Sequence, residues 1–453
     1  VEIYSAPNLV LLPKQSKGAL KVLILAYDFP PLISIGAQRP YSWYKYLPQS
    51  GIEVMVVTRF WSDKISMPEE YVQATERGSK EEKDASGNNT IIRAAFTPNA
   101  RDKILLKFGY KKFVQLRKLL TYLYAYLEHF FFLFDSKSAI YREAVKAISQ
   151  NKPDVIIATG EPFILFRYAH MLSTKYNIPW IADYRDGWTS NQGNYQNGIL
   201  KNRLDNFYRG REKLYVSNAS LITTAAPSYA EVLHRIHPGK EIKVVYNGFD
   251  DEFFQGIDEI EPTREKFIIS YAGTIYPHQN LEMFLDGLRD FIKNEHMQPA
   301  GLEVRFYGLD AQLQAKERLL NYSSDLPHFL KSEPRINYAG LIKKLRASHV
   351  LLLLSKKDAN WLNAKIFDYM AVKRPIMLVE NDAGILEKIL MEMNAGKAFN
   401  SAEDVAQFLK DSYSKFLKGD LSEQQLNPHY VRYSRKAQAV ELARILKRLD
   451  IKA

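Results

Sequence analysis

Short runs of aliphatic and β-branched residues recur along this chain, each closed by a loop and most followed by a helical pattern. "LKVLILAYDFPP", "GIEVMVVTRF", "KPDVIIATGEP", "IPWIADYRD" and "ASLITTAAP" stand in the first half. "FIISYAGTIY", "LEVRFYGLD", "RINYAGL", "HVLLLLS" and "RPIMLVEN" stand in the second. A continuous apolar run of this kind reads as a strand covered on both faces, and strands alternating with helices make a parallel sheet wrapped by helices. "NTIIRAAF" reads as one more strand, "EIKVVYNGFDDEFF" closes the first set, and "QRPYSWYKYLPQ", "NLEMFLDGLRDFIKN" and "AKIFDYMAVK" read as helices.

The alternation occurs twice, and 453 residues are too many for one ordinary core. The fold class expected is therefore α/β, with two doubly wound, Rossmann-like domains. Between the two sets "EFFQGIDEIEPTREK" is acidic, polar and without periodicity, as an interdomain linker would be. The expected organisation is a first domain over 1–250, a second over 251–425 and a C-terminal segment over 426–453. That last segment contains the amphipathic helix "YSRKAQAVELARILKRLD".

Composition narrows the function. With no cysteine, disulfides and thiolate metal sites are excluded. A net charge of +11 attracts phosphorylated substrates, anionic lipid or nucleic acid. The basic residues form no nucleic-acid recognition motif, so no nucleic-acid partner is expected. No run approaches the roughly 18 apolar residues of a spanning helix. The opening residues lack a basic stretch followed by an apolar one, so no signal peptide is expected and the expected location is cytoplasmic. One segment stands apart. From Arg101 to Phe134, Arg101, Lys103, Lys107, Lys111, Lys112, Arg117 and Lys118 precede "LLTYLYAYLEHFFFLF". Basic residues beside an aromatic-aliphatic helix suit peripheral contact with an anionic membrane, and they equally suit internal packing.

Several residues stand where open α/β sheets place their ligands, at the carboxyl ends of strands. Gly36 in "SIGAQRP" follows the first strand, where a residue without Cβ lets backbone amides approach a phosphate, and Arg39 lies just beyond. "DYRDGW" sets Asp183, Arg185 and Asp186 at another strand end. In "AKIFDYMAVKRPIM", Lys365 and Asp368 open a helix after the strand "HVLLLLS". Lys365, with amides near Asn363 and Ala364, is the candidate to meet a phosphorylated ligand at this helix start.

Four stretches together, "YDFPPLISIGAQRPYSW", "IADYRDGWT", "VVYNGFD" with "YAGTIYP", and "AKIFDYMAVKRPIM", resemble retaining glycosyltransferases of the GT-B fold, family 4. The resemblance runs from Lys21 to about Asp450. It implies two Rossmann-like domains facing a central cleft, with the C-terminal helix returning to the first. It also implies transfer of a sugar from a nucleoside-diphosphate donor to a hydroxyl of a glycan or lipid-linked acceptor, in cell-surface polysaccharide or glycan assembly. No cofactor or metal is implied beyond the donor itself.

Residue by residue, Asp368 occupies the position of the carboxylate that binds the donor ribose, seven residues before Pro375. Asn360 stands where relatives carry the carboxylate that touches the donor sugar, and the amide keeps hydrogen bonding but loses the charge. Gly273 and Thr274 resemble the phosphate loop of the second domain, and Asn247 and Gly248 the crossover turn. Gly340 and Leu341 fall where backbone groups read the base. Asp183, Arg185, Asp186 and Arg39 fall on the acceptor side. Relatives commonly pair an Arg and a Lys with the diphosphate where this chain has Thr274 and Gln279. The cleft histidine of many members aligns with Phe163 or Phe166, and His170 lies further along that helix. These departures leave a second reading open, a degenerate GT-B protein that binds sugar nucleotide or acts as a scaffold without transfer. A sugar-nucleotide epimerase of the same fold would need an acidic and histidine cluster around the sugar, and none is visible.

Overall fold

The computed structural model describes residues 18–32, 34–62, 70–73, 75, 78–189, 199–309, 313–356 and 358–450. The opening stretch on which the expectation about a signal peptide rests lies outside the described residues.

The first half carries β1 (Leu20–Leu25), α1 (Ile35–Tyr46), β2 (Ile52–Arg59), β3 (Lys80–Lys83), β4 (Thr90–Ala94), α2 (Ala100–Phe108), α3 (Val114–Leu127) and α4 (Ser138–Gln150). It continues through β5 (Val155–Gly160), α5 (Ile164–Tyr176), β6 (Trp180–Tyr184), α6 (Ile199–Val216), β7 (Leu221–Thr224), α7 (Pro227–Ile236) and β8 (Ile242–Val244). These strands form one sheet in the order β3-β4-β2-β1-β5-β6-β7-β8. β1 pairs in parallel with β2 and β5, β2 with β4, and β7 with β8. Only β3 is seen to run antiparallel, and its sequence "KEEK" is charged because it is the edge.

The second half carries β9 (Phe267–Ala272), α8 (Leu281–Asn294), β10 (Leu302–Tyr307), α9 (Leu313–Leu320), β11 (Leu330–Glu333), α10 (Tyr338–Arg346) and β12 (Val350–Leu354). It closes with α11 (Lys365–Ala371), β13 (Ile376–Val379), α12 (Ile385–Glu392), β14 (Gly396–Phe399), α13 (Ala402–Leu417) and α14 (Arg435–Asp450). Its sheet, β11-β10-β9-β12-β13-β14, is parallel throughout. In β12, Val350, Leu352 and Leu354 pack on one face with α8 and α13, while Leu351 and Leu353 pack on the other with α10, α11 and α12. Burial on both faces is why "HVLLLLS" shows no polar alternation.

The doubly wound α/β class is thus what the sequence led us to expect, with three local corrections. "RINYAGL" is not a strand. The strand lies upstream at Leu330–Glu333, and Asn337 caps α10 by accepting from Gly340 N at 2.8 Å, which turns this stretch into a helix start. α1 begins earlier than "QRPYSW", because Ser34 caps it through Ala37 N at 3.0 Å. The basic segment 101–134 is two helices, separated where Gly109 ends α2 and Phe113 takes a left-handed φ of 53°.

By its contacts the chain divides into two compact units, one holding residues up to Ile181 and from Ala443 on, the other Ala182–Leu442. In the first, Lys447 Nζ donates to Ser50 O at 2.9 Å. In the second, the stretch read as a linker forms two 3-10 turns, and buried Arg346 donates to Ile257 O at 3.1 Å and to Val372 O at 3.0 Å.

Gly248 makes a tight turn in that second unit. Its φ is +66°, and a Cβ there would lie 2.4 Å from Tyr433 O. Gly248→Ala should cost about 2 kcal/mol or more, a loss of roughly 5 °C in Tm by thermal unfolding. An unchanged Tm would mean that this turn does not hold the backbone as described.

Candidate functional site

In the second sheet the strand order reverses between β9 and β12, and open α/β sheets bind ligands at the carboxyl ends of the strands flanking such a reversal. The loop after β9 holds Gly273 and Thr274, and the connection after β12 leads into α11 and Lys365. Gly273 N donates to Tyr307 O at 2.9 Å, which folds the loop back with φ +96°. A Cβ on Gly273 would come within 2.9 Å of Lys365 Cε and 3.0 Å of its Nζ. The glycine is what leaves room for the lysine.

Lys365 Nζ donates to Tyr271 Oη at 2.9 Å and to Thr274 O at 3.4 Å, and lies 4.4 Å from the centre of the Tyr271 ring. Tyr271 Oη donates in turn to Thr274 O at 2.6 Å, fixing both partners. Among the described residues Lys365 has no carboxylate partner. Burial pushes its ammonium pKa down to about 7, although the residue keeps part of its surface in solvent. A cation stripped of water and met only by neutral oxygens and a ring face is complementary to an anion that enters from solvent.

One turn further along α11, Asp368 accepts a short hydrogen bond from Tyr338 Oη. Burial raises its carboxyl pKa to about 6, with Arg435 and the Tyr338 hydroxyl opposing that rise and Asp250 adding to it. Arg435 is itself tied to this corner, Nε donating to Gly248 O at 3.2 Å and Nη1 lying 3.6 Å from Asp250. Tyr271, Tyr338, Asp250 and Arg435 were not singled out from the sequence. Tyr271 carried a signal, since it stands two residues before the loop glycine, but Tyr338 was hidden by reading its helix as a strand.

The other expected residues divide. Asn363 is buried, and its Oδ1 accepts from Lys365 N at 3.2 Å. Ala364, beside it, supplies the N-cap of α11. Asn360 is exposed on a turn whose carbonyl accepts from Ser228 Oγ at 2.6 Å. Gln279 is a correction. It is 1% exposed, its Oε1 accepts from Tyr276 N and its Nε2 donates to Leu354 O, both at 2.8 Å, so it braces the loop instead of facing a donor. Gly340 and Leu341 are a second, because their amides go to Asn337 as the first turn of α10. Gly36 is a third: it is buried in the first turn of α1, not in a loop.

On the expected acceptor side, Asp183 is fully buried and accepts from Thr223 Oγ1 at 2.7 Å, so it serves the sheet. Arg185 lies 3.4 Å from Asp186, whose side chain is half exposed. Arg39 is buried on α1 and stacks at 4.9 Å over Trp43. Beneath "DYRDGW", Tyr184 Oη donates to buried Glu212 at 2.9 Å and lies 3.1 Å from His237 Nε2, and Thr189 also donates to Glu212. Phe163 and Phe166 are buried, while His170 is partly exposed further along α5.

Residues 39–253 match the family described as Glycosyltransferase Family 4. Among curated proteins none matches. The fold is shared with a sucrose-phosphate synthase from Thermosynechococcus elongatus, at 14% identity and a TM-score of 0.61 over 96% of this chain and 100% of that one. A glycosyltransferase from Rickettsia africae matches at 13% identity and a TM-score of 0.59, over 95% and 99% of the two chains. The Anabaena protein HepE, solved in complex with UDP and glucose, matches at 12% identity and 0.53 over 94% and 99%.

The two shifted groups make separate marks on stability. Lys365 titrates near 7 when folded and at its ordinary 10.5 when unfolded, so the unfolded chain holds more protons between those values and stability rises with pH there. Asp368, near 6 when folded and 3.8 when unfolded, makes stability fall as pH rises from about 4 to 6. The Tm advantage of Lys365→Met over the unaltered protein should be largest below pH 7 and shrink from pH 7 to 10. A pH-independent difference would show that Lys365 titrates as an ordinary lysine.

Proposed function

Proceeding from a chain that is a glycosyltransferase of the GT-B fold, we propose that it moves a sugar from a nucleoside diphosphate to a hydroxyl of a glycan or lipid-linked acceptor, with retention of the anomeric configuration. The observation that carries this reading is the Lys365 ammonium at the sheet's reversal point, held against Gly273 with no anionic partner among the described residues.

In this reading the donor diphosphate lies along the Gly273–Thr274 loop and pairs with Lys365. As the bond from the anomeric carbon to the diphosphate breaks, the leaving oxygen gains charge that Lys365 stabilises. The acceptor hydroxyl forms the new bond on the same face, and its proton passes to the leaving diphosphate oxygen. Asp368, oriented by Tyr338, binds the ribose hydroxyls when ionised, and Asn360 hydrogen-bonds the donor sugar. Asp186 and Arg185 belong to the acceptor side. The protein supplies position and fixed charge, and the donor needs no metal or further cofactor. HepE, solved with UDP and glucose, makes a uridine donor the first to try. The setting proposed is cell-surface polysaccharide or glycan assembly on the inner face of the cytoplasmic membrane, with peripheral contact through 101–134.

Thermal-shift titration with UDP, GDP, dTDP, ADP and CMP and their sugars tests the site. A nucleotide at about 100 times its Kd adds roughly 2.7 kcal/mol and raises Tm by several degrees. Lys365→Ala and Asp368→Ala should each abolish the shift. For the unaltered protein, affinity should weaken from pH 7 to 9, by at most about tenfold per pH unit, as the free ammonium loses its proton. Binding without any release of nucleoside diphosphate in the presence of acceptor glycans would favour the scaffold reading. Stabilisation by no nucleotide would remove the donor site altogether.

A further inference from the structure

Among the described residues, 21 large apolar side chains are exposed, and 13 of them fall between Leu106 and Leu133. Monomeric proteins rarely gather so much apolar surface in one place without a partner for it. The cluster covers the end of α2, most of the outer side of α3 and the turn that follows, with Leu119 64% and Leu133 88% exposed.

This surface is anchored firmly from beneath. Arg167, in the first turn of α5, donates to Glu128 O and lies 4.5 Å from the Phe132 ring centre. Phe132 stacks on Tyr141 of α4 at 5.0 Å, and Tyr168 Oη donates to Asp135. Lys137 pairs with Glu128 at 2.8 Å. Within α3, buried Arg117 donates to the carbonyls of Tyr110 and Lys112 and so closes the α2–α3 connection. The exposed rings and leucines are therefore carried by a braced hairpin and do not belong to a frayed end.

Charge decides between occupants. Between Asp102 and Glu128 the chain has six basic residues and no acidic one. Lys103, Lys107, Lys111, Lys112 and Lys118 are all exposed beside the apolar cluster. A second copy of the same face would bring like charges together, which opposes self-association. Leucine and phenylalanine flanked by tyrosine and lysine match the depth profile of a bilayer interface, with acyl chains innermost, aromatics at the boundary and cations among anionic headgroups. We propose that the α2–α3 hairpin with the 128–134 turn is a docking surface for an anionic phospholipid bilayer.

The placement carries a consequence for the acceptor, which rests on the proposed glycosyl transfer. Asn99 caps α2 just beyond the carboxyl end of β4, and the 128–134 turn is held by the first turn of α5, just beyond the carboxyl end of β5. The hairpin thus brings the carboxyl edge of the first sheet, where an acceptor would bind, to headgroup depth. The acceptor is then an amphiphile whose hydroxyl is presented at the membrane surface.

Flotation of the full chain with vesicles tests the docking. Binding is expected to phosphatidylcholine vesicles carrying 30% phosphatidylglycerol, and much less to phosphatidylcholine alone, taking that composition as about typical for an anionic leaflet. Raising the salt should weaken it, and this arm needs no variant. Lys111→Gln with Lys112→Gln should weaken binding about 25-fold, at roughly fivefold per basic residue. Leu119→Asp with Leu133→Asp should abolish it while leaving Tm unchanged, since both side chains already face solvent. Absence of binding to anionic vesicles, or equal binding by the altered proteins, overturns the proposal. A dimer by light scattering that Leu119→Asp converts to monomer, without vesicle binding, assigns the face to a second copy and overturns it too. Vesicle binding requires no sugar nucleotide, so a failed donor screen leaves this result standing, and a failed flotation leaves the donor site standing.

Discussion

A lysine ammonium held in a half-closed site, with no counter-charge among the described residues, is the interaction on which the functional reading depends. Lys365 meets Tyr271 Oη, Thr274 O and the face of the Tyr271 ring, all neutral. Burial of a lone cation is unfavourable, so such an arrangement opposes folding unless an anion completes it. Everything around it is disposed to keep it there. Gly273 gives up a side chain to admit it, Tyr271 is fixed by its own hydrogen bond, and Asn363 takes the backbone amide at the start of α11.

The second charged group is arranged differently. Asp368 has a hydrogen-bond donor in Tyr338 and a cation in Arg435 close enough to lower its pKa, yet burial and Asp250 outweigh both. Its carboxyl sits one helical turn from Lys365, so α11 presents a cation and a hydrogen-bonding carboxyl from the same short helix. That order along a helix suits a ligand with an anionic part and a hydroxyl-bearing part, as a nucleoside diphosphate has. The corner formed by Gly248, Asp250 and Arg435 fixes the Asp368 end.

Several buried polar residues serve the frame, Asp183 and Gln279 among the sequence candidates and Glu212 outside them. Asp183 answers Thr223 across the sheet, Gln279 braces a loop with both ends of its amide, and Glu212 gathers Tyr184 and Thr189 beside His237. Each is a buried polar side chain satisfied by its neighbours, the usual condition of such groups. What separates them from Lys365 is complete burial, since Lys365 keeps part of its surface in solvent, a property of surroundings that a residue's letter does not carry.

The sequence by itself determined the α/β class, because apolar runs such as "HVLLLLS" are legible wherever both faces of a strand are covered, and it determined that Lys365 and Asp368 share a helix, because they are three residues apart. It misplaced the strand near Ile336, since Asn337 capping a helix and a short strand both begin with a polar residue before apolar ones. Only the tertiary structure decided that β9 and β12 are neighbours, which brings Gly273 to Lys365 across about ninety intervening residues. It alone also decided that Tyr122 and Tyr126 of α3 face outward, since an amphipathic pattern marks an apolar face without saying what covers it. Local pattern follows from backbone geometry, which the chain carries at every residue. Strand order, burial and the satisfaction of a charge are fixed by contacts between distant segments, and those exist only once the chain has folded.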